Sequence, residues 1–232
     1  MSGRQGRTVA RVVWGWAVLA LVALSAPTRV AGQDLANFDY ENLSFRGLGL
    51  EIGYLFPDRI ENAPTYGVRF DLGYLGPGLR IVPTFTYWSA PFEASEVMGL
   101  EERVASLVSR ETGAPPPLVD LGTMRWTDYS IGVDGHVVWA VPFDLLTFAG
   151  IGVSAHLLNG SGPAIDDTFI EDLLDTVTAG INLHLGLEYP VNERFRVMGQ
   201  GRYEIIEDLQ YFQLRLGWQI MFGPAAPGEV RR

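Results

Sequence analysis

The sequence contains no cysteine and no lysine. Without cysteine there is no disulfide, no thiolate metal site, no thiol nucleophile and no lipid attachment through an N-terminal cysteine. All 17 basic residues are arginines, set against 27 acids, so the formal net charge is −10 over 232 residues. That acidic balance excludes a nucleic-acid surface, because phosphate recognition needs a basic patch. Charged residues make up only 19% of the chain while aromatics reach 12% and glycines number 27. A disordered chain has the opposite mix, rich in charge and poor in aromatics. The length suits one domain.

Residues 1–11 carry Arg4, Arg7 and Arg11 and no acid, and the apolar run Val12–Leu24 follows. Pro27 and the small residues of Val30-Ala31-Gly32 then precede Gln33. A basic start, a short apolar run and a small-residue cut make a secretory signal peptide over 1–32. A retained anchor is the alternative, but a 13-residue run gives only about 20 Å of helix against a hydrocarbon core of roughly 30 Å. Removing four arginines and no acid leaves 13 basic residues against 27 acids, a net charge of −14. Export is expected, with 33–43 as a periplasmic N-terminal segment.

From Ser44 onward the dominant period is two, the signature of strands with unlike faces. Leu48, Leu50, Ile52, Tyr54 and Phe56 alternate with Gly47, Gly49, Glu51 and Gly53. The same device recurs in seven more runs, the last setting Phe212, Leu214, Leu216, Trp218, Ile220 and Phe222 against Gln213, Arg215, Gly217 and Gln219. Eight runs of roughly 10–13 residues exceed the usual soluble strand and match what a tilted strand needs to cross a bilayer. Within them the apolar parity carries no charge. The other parity carries Glu51, Arg69, Asp71, Arg80, Asp128, Asp134, Glu188, Arg196, Arg202, Glu204 and Arg215. A soluble sandwich also alternates, but it has no need of aromatics gathered at strand ends. Here Tyr54, Phe56, Tyr66, Tyr87 and Tyr129 fall near one end, and Tyr74, Trp139, Tyr189, Phe195 and Phe222 near the other. Two girdles around an apolar band mark a transmembrane barrel. The run from Val137 to Leu158 is apolar enough to resemble a membrane helix, but Pro142 and Asp144 make it two strands joined by a turn.

With the N-terminus periplasmic, the connections at 76–78, 140–144 and 190–194 are short. Those at 57–65, 89–124 and 158–176 are longer, and only Glu207-Asp208 is a short external one. Short periplasmic turns and longer external loops are the expected asymmetry of outer-membrane barrels. The expected fold is therefore all-β: an eight-stranded antiparallel up-and-down transmembrane barrel over 44–222, with a periplasmic tail at 223–232. A short helix is expected in one external loop.

In pattern and length the chain resembles the eight-stranded bacterial outer-membrane barrels, the group that includes the OmpA transmembrane domain, OmpX and the opacity proteins. The most specific likeness is the last strand, where Arg215, Gly217, Ile220 and Phe222 fit the insertion signal of such barrels. The resemblance implies outer-membrane lipids, lipopolysaccharide and the barrel-insertion machinery as partners. Phe222 is followed by ten more residues, too few for the peptidoglycan-binding domain of OmpA-type proteins.

An eight-stranded barrel is just wide enough for its side chains to fill it. Six acids and five arginines point inward, and arginine forks suit carboxylates. Glu188 with Arg196, Glu204 with Arg215 and Asp71 with Arg80 are the expected pairs. A plug of ion pairs is favoured over a hydrated lumen, although inward glycines leave space that arginines and aromatics must fill. The three histidines, His136, His156 and His184, also point inward, at three different depths as counted from the turns. Zinc ligands must converge within about 2 Å of one ion, so neither a metal nor a cofactor is expected. Outer-membrane lipid hydrolases carry His-x-Ser on one strand. No such triplet exists here, and no enzymatic activity is expected.

Ser95, Val97, Leu100, Val104, Leu107 and Val108, stopped by Gly113 and Pro115-Pro116-Pro117, predict a helix in loop 89–124. It packs on the rim or meets an external ligand. Loop 158–176 gathers Asp166, Asp167, Glu171, Asp172 and Asp175; solvation explains them, with a divalent cation bridging to lipopolysaccharide as the alternative. The overall expectation is a structural or interaction-type barrel. A small channel or carrier for hydrophobic or minor solutes is the alternative, followed by a lipid-modifying enzyme.

Overall fold

A computed structural model describes residues 43–76, 78–143, 145–166, 168–207 and 209–222. The signal peptide at 1–32, the tail at 223–232 and nearly all of the segment at 33–43 lie outside those residues. Eight strands alternate up and down: β1 (Leu43–Pro57), β2 (Ala63–Gly76), β3 (Leu79–Pro91), β4 (Arg125–Val141), β5 (Leu145–Ser161), β6 (Thr176–Asn192), β7 (Phe195–Ile205) and β8 (Gln210–Met221). Each pairs with its sequence neighbour, and β8 returns to β1 from Gly47↔Met221 to Pro57↔Tyr211, closing the barrel. Closure matters because a strand edge in hydrocarbon would leave its N–H and C=O groups without partners. No described helix is long and apolar enough to cross a membrane. The strands are the spanning elements.

The period of two is carried through in three dimensions. Along β8, residues are exposed and buried in strict alternation, and Leu214, Leu216, Trp218 and Ile220 face outward with Leu216 66% exposed. The outward faces of the other strands add Ile52, Ile131, Val133, Ile151, Val153, Ile181 and Leu183, all exposed. Each such side chain gains about 1.5–3 kcal/mol on leaving water, and a continuous belt of them marks a membrane surface rather than a soluble one. One edge of the belt is a row of rings across neighbouring strands. Tyr66, Tyr87 and Tyr129 follow at 6.5 and 5.1 Å between centroids, and Phe56 lies 5.4 Å from Tyr54 and 6.4 Å from Phe212.

At the other edge the structure corrects one girdle member. Gly73 adopts a left-handed φ of 79° and the β2–β3 register shifts between Arg69 and Tyr74. Tyr74 then stands opposite Arg80, an inward residue, with the Arg46 guanidinium 5.6 Å from its ring centroid. The bulge inserts a residue and so reverses the faces beyond it. Phe45 and Phe70 occupy that edge instead, Phe45 lying 5.6 Å from Phe222 and 6.5 Å from Phe70.

The connections divide by end. On one side only 77–78, 142–144 and 193–194 join strands; on the other lie 58–62, 92–124, 162–175 and 206–209. Strands run further into the loops than the sequence implies, so the first external connection is five residues and not 57–65. The expected helix forms as α1 (Ala94–Thr112). Glu93 precedes it without a side-chain cap, and Gly113 ends it at φ 67°, donating its N–H to the Ser109 carbonyl at 2.9 Å. A second, short helix is α2 (Phe169–Leu174), capped by Thr168. Val97, Leu100 and Val104 of α1 pack with Leu121, Met124, Ile165 and Ile170, forming a small core above the barrel mouth. Leu107 and Val108, expected on the same buried face, remain exposed. The helix outlasts the surface it packs on.

The belt gives a direct test. Leu216→Arg places a charge on the lipid face opposite Ile52 and Gly199 and should cost about 2–4 kcal/mol of folding stability. Denaturant unfolding of the barrel in lipid vesicles measures it.

Candidate functional site

Among the described residues, the lumen is where charged and titratable side chains are concentrated in buried contact. All eleven charged residues of the polar parity are buried within it. They form two groups, each built by neighbouring strands bringing inward positions to one level.

The first group centres on Glu188 of β6. Arg80 of β3 grips it with two parallel hydrogen bonds, Nη1 to Oε2 at 2.9 Å and Nη2 to Oε1 at 2.6 Å. Arg69 and Arg196 each stand 3.6 Å from the same carboxylate. Arg80 also lies 3.7 Å from Asp71, which accepts from the Gly73 N–H and from Gln219. Glu51 sits between Arg69 at 3.5 Å and Arg215 at 3.1 Å, and Arg215 further donates to Gln213 and Thr86. Arg69 and Arg80 both lie over the ring of Phe148, at 5.7 and 5.6 Å.

The second group runs through Arg202 of β7, which donates to Asp134 and to Glu204, each at 2.7 Å. Glu204 accepts from the Ser154 hydroxyl at 2.5 Å. His156 bridges onward, with Nδ1 2.9 Å from Asp128 and Nε2 2.9 Å from Ser154 and 3.4 Å from Glu204.

Two of the three expected pairs form, Glu188 with Arg196 and Asp71 with Arg80. Glu204 with Arg215 does not. The β7–β8 register sets Arg215 opposite Gln200 and Glu204 opposite Tyr211, so the two charges stand at different levels. Glu204 takes Arg202, its neighbour on the same face of one strand, and Arg215 takes Glu51 across the β1–β8 seam.

The depth order read for the histidines is also corrected. Gly150 of β5 lies opposite His136 on one side and His184 on the other. The two rings therefore share a level, 4.7 Å between centroids, with His136 stacked on Phe148 at 4.6 Å. His156 belongs to the other group.

Inward glycines supply the room. A Cβ on Gly49 would lie 2.7 Å from the Arg69 side chain, one on Gly186 2.3 Å from the Phe148 ring, and one on Gly180 2.6 Å from Ser154 Oγ. Small residues on one strand accommodate large ones on the next.

Above the charges, at the long-loop end, lies a layer that the alternation did not reveal. Leu55, Ile60, Ala63, Trp88, Ala90, Trp126, Leu158, Ile206, Leu209 and Tyr211 form one buried apolar cluster. Trp88 meets Tyr211 edge-on at 6.1 Å, and the Trp126 indole donates to the Leu174 carbonyl at 3.1 Å, fastening α2 over the mouth. The signal in the sequence was an aromatic on the polar parity, Trp88 beside Tyr87 and Trp126 two residues before Asp128. Of the loop acids, Asp166 and Asp175 accept the N–H groups of Gly162 and Gly160, both at 2.8 Å; Asp167 lies outside the described residues. In the insertion signal, Arg215 and Gly217 face inward while Ile220 and Phe222 face outward.

Ser154, His156 and Asp128 stand at the spacing of a hydrolytic triad, in the order Ser-x-His. The hydrogen-bond directions differ from a triad. The Ser154 proton points at Glu204, and His156 faces oxygen at both nitrogens, an arrangement in which both donate. A ring that donates to the hydroxyl is not positioned to deprotonate it.

A closed eight-stranded antiparallel barrel, apolar outside and charged inside, is the fold of the bacterial outer-membrane barrels. No family model matches the sequence, and no curated protein matches it either. Among solved structures, the crystal structure of Neisserial surface protein A has a TM-score of 0.53 at 10% identity, covering 76% of this chain and 97% of that one. Ail, the attachment invasion locus protein of Yersinia pestis, gives 0.48 at 10% identity over 78% of this chain and all of its own. A major outer membrane protein of Thermus thermophilus gives 0.48 at 10%, over 76% and 99%. The first likeness establishes the shared fold.

Glu188→Ala strips Arg80 of its bidentate partner and should cost about 3–5 kcal/mol, because it leaves a buried charge uncompensated. The paired change Arg80→Met with Glu188→Leu should recover only part of that loss, because Arg69 and Arg196 still lose Glu188 and Asp71 loses Arg80. Denaturant unfolding in micelles compares the two. A double-mutant cycle should find coupling between Arg215 and Glu51 and none between Arg215 and Glu204.

Proposed function

We propose that this chain is an exported outer-membrane barrel whose lumen is plugged by its own ion pairs, and that its role is structural or interactive rather than catalytic. The observation that carries the reading is the burial and mutual pairing of the inward charges beneath the apolar layer of Trp88, Trp126, Leu158 and Tyr211. Six inward acids meet five inward arginines, His156 between two of the acids, and Arg46 buried beside Tyr74. An interlocked lumen is the arrangement that burying so many charges requires, since any unmatched one is costly.

The non-catalytic part of the reading rests on the Ser154 hydroxyl, which gives its proton to Glu204 at 2.5 Å. The interactive part rests on the loop end, where Met98, Leu107, Val108 and Leu118 are exposed beyond the small core of α1. Lipid and lipopolysaccharide contact the outer belt, and an external ligand meets loop 89–124. A carrier for apolar solutes would need a side opening. The interruption of the β2–β3 ladder between Arg69↔Thr84 and Tyr74↔Arg80 is a candidate, but it backs onto Asp71 and Arg80, whose charges suit no apolar solute.

Planar-bilayer recording of the purified barrel tests the plug. The expected result is no resolvable single-channel step; large, stable steps would contradict it.

A further inference from the structure

Beyond the plug, we propose that Asp134, His136 and His184 form a binding site for a first-row divalent transition-metal ion, zinc being the type ion. One donor atom from each lies within 4.8 Å of the other two, and all three residues are buried. Two imidazoles and one carboxylate are a recurrent donor set for zinc and its neighbours, leaving a fourth position for water.

Three observations independent of that proximity point to the same place. First, Nε2 of His136 and Nε2 of His184 are both buried without a hydrogen-bond partner. A buried ring nitrogen without a partner is costly, and these two are the histidine atoms among the twelve described side-chain atoms in that state. Second, the strand between the two histidines is kept bare at this level. A Cβ on Gly150 would lie 2.5 Å from His184 Nε2, and one on Gly152 would lie 2.0 Å from Asp134 Oδ1. Third, the groups around the donors are arranged to hold them. Asn182 Oδ1 only accepts, so His184 donates Nδ1–H to it at 2.7 Å and keeps the Nε2 lone pair for an ion. A ligating histidine is ordinarily oriented in this way. Arg202 donates to Asp134 Oδ2 at 2.7 Å, and Asn182 Nδ2 makes only a longer contact of 3.4 Å to Oδ1, the oxygen an ion would take.

His136 differs in one respect. Arg80 lies 3.1 Å from its Nδ1, and an arginine has only donors to offer. Ligation through Nε2 needs the ring with its proton on Nδ1, so the Arg80 nitrogen turns from that atom to Glu188 Oε1, which it already holds at 2.6 Å. Donors about 2 Å from one tetrahedral ion stand roughly 3.3 Å apart, so from separations of up to 4.8 Å the rings and carboxylate close in by as much as about 1.5 Å as the ion arrives.

The test is to fold the purified full chain with zinc or cobalt(II) alone, remove excess ion, and measure content and affinity. One ion per chain is expected, with visible cobalt bands of nitrogen–oxygen ligation. His136→Gln and His184→Gln should each weaken binding at least tenfold, and Asn182→Ala by about 10–100-fold. Leu107→Ala, on the exposed part of α1, should leave it unchanged. The absence of stoichiometric metal, or undiminished affinity in the His136 and His184 variants, would overturn the site. Should those variants fail to fold, the wild-type cobalt spectrum decides alone. A negative result leaves the plug standing, because closure rests on the arginine–carboxylate pairs.

Discussion

A chain that crosses hydrocarbon must satisfy every backbone hydrogen bond within itself. In this protein that constraint is met at the β1–β8 seam, which runs from Gly47↔Met221 to Pro57↔Tyr211. Once the sheet is closed, its two faces become an outside and an inside, and the side chains sort accordingly. The apolar parity lies against lipid. Everything polar is forced into a cylinder only wide enough for side chains. The lumen's chemistry is thus a consequence of closure: charges placed there must find one another.

How they do so depends on an exchange of volume between strands. Arg69 lies along the space left by Gly49, Phe148 along that left by Gly186, and the Ser154–His156 pair along that left by Gly180. Phe148 is then available as a platform for Arg69 and Arg80 on their way to Glu188 and Asp71. The glycines that make the barrel look loosely filled in the sequence are the positions into which the large side chains fold. Above them the apolar layer of Trp88, Trp126, Leu158 and Tyr211 separates the charges from the loop end.

The strands and the inward charge set were legible in the sequence because a period of two determines parity without knowledge of partners. All eleven charged residues named from parity are buried. What parity does not contain is level. Arg215 meets Glu51 and not Glu204 because of the β7–β8 and β1–β8 registers, the first fixed across the 206–209 connection and the second by closure of the barrel. The shared level of His136 and His184 follows from Gly150 standing opposite both, again a register fact. Tyr74 was misplaced for a related reason: the left-handed Gly73 introduces a bulge, and every face beyond a bulge is reversed. The apolar cap was hidden because Trp88 and Trp126 stand on the polar parity, and their gathering with Leu55, Leu158 and Tyr211 needs the levels of five strands.

The central claim is that the apolar parity touches lipid and the other parity does not. Tryptophan reports on it directly, since Trp218 faces outward while Trp88 is fully buried in the lumen. Variants retaining only one of these tryptophans, folded into vesicles of lipid brominated in its acyl chains, should behave oppositely. Trp218 fluorescence should be strongly quenched and Trp88 fluorescence left nearly intact. Equal quenching of the two, or an unquenched Trp218, would contradict the account.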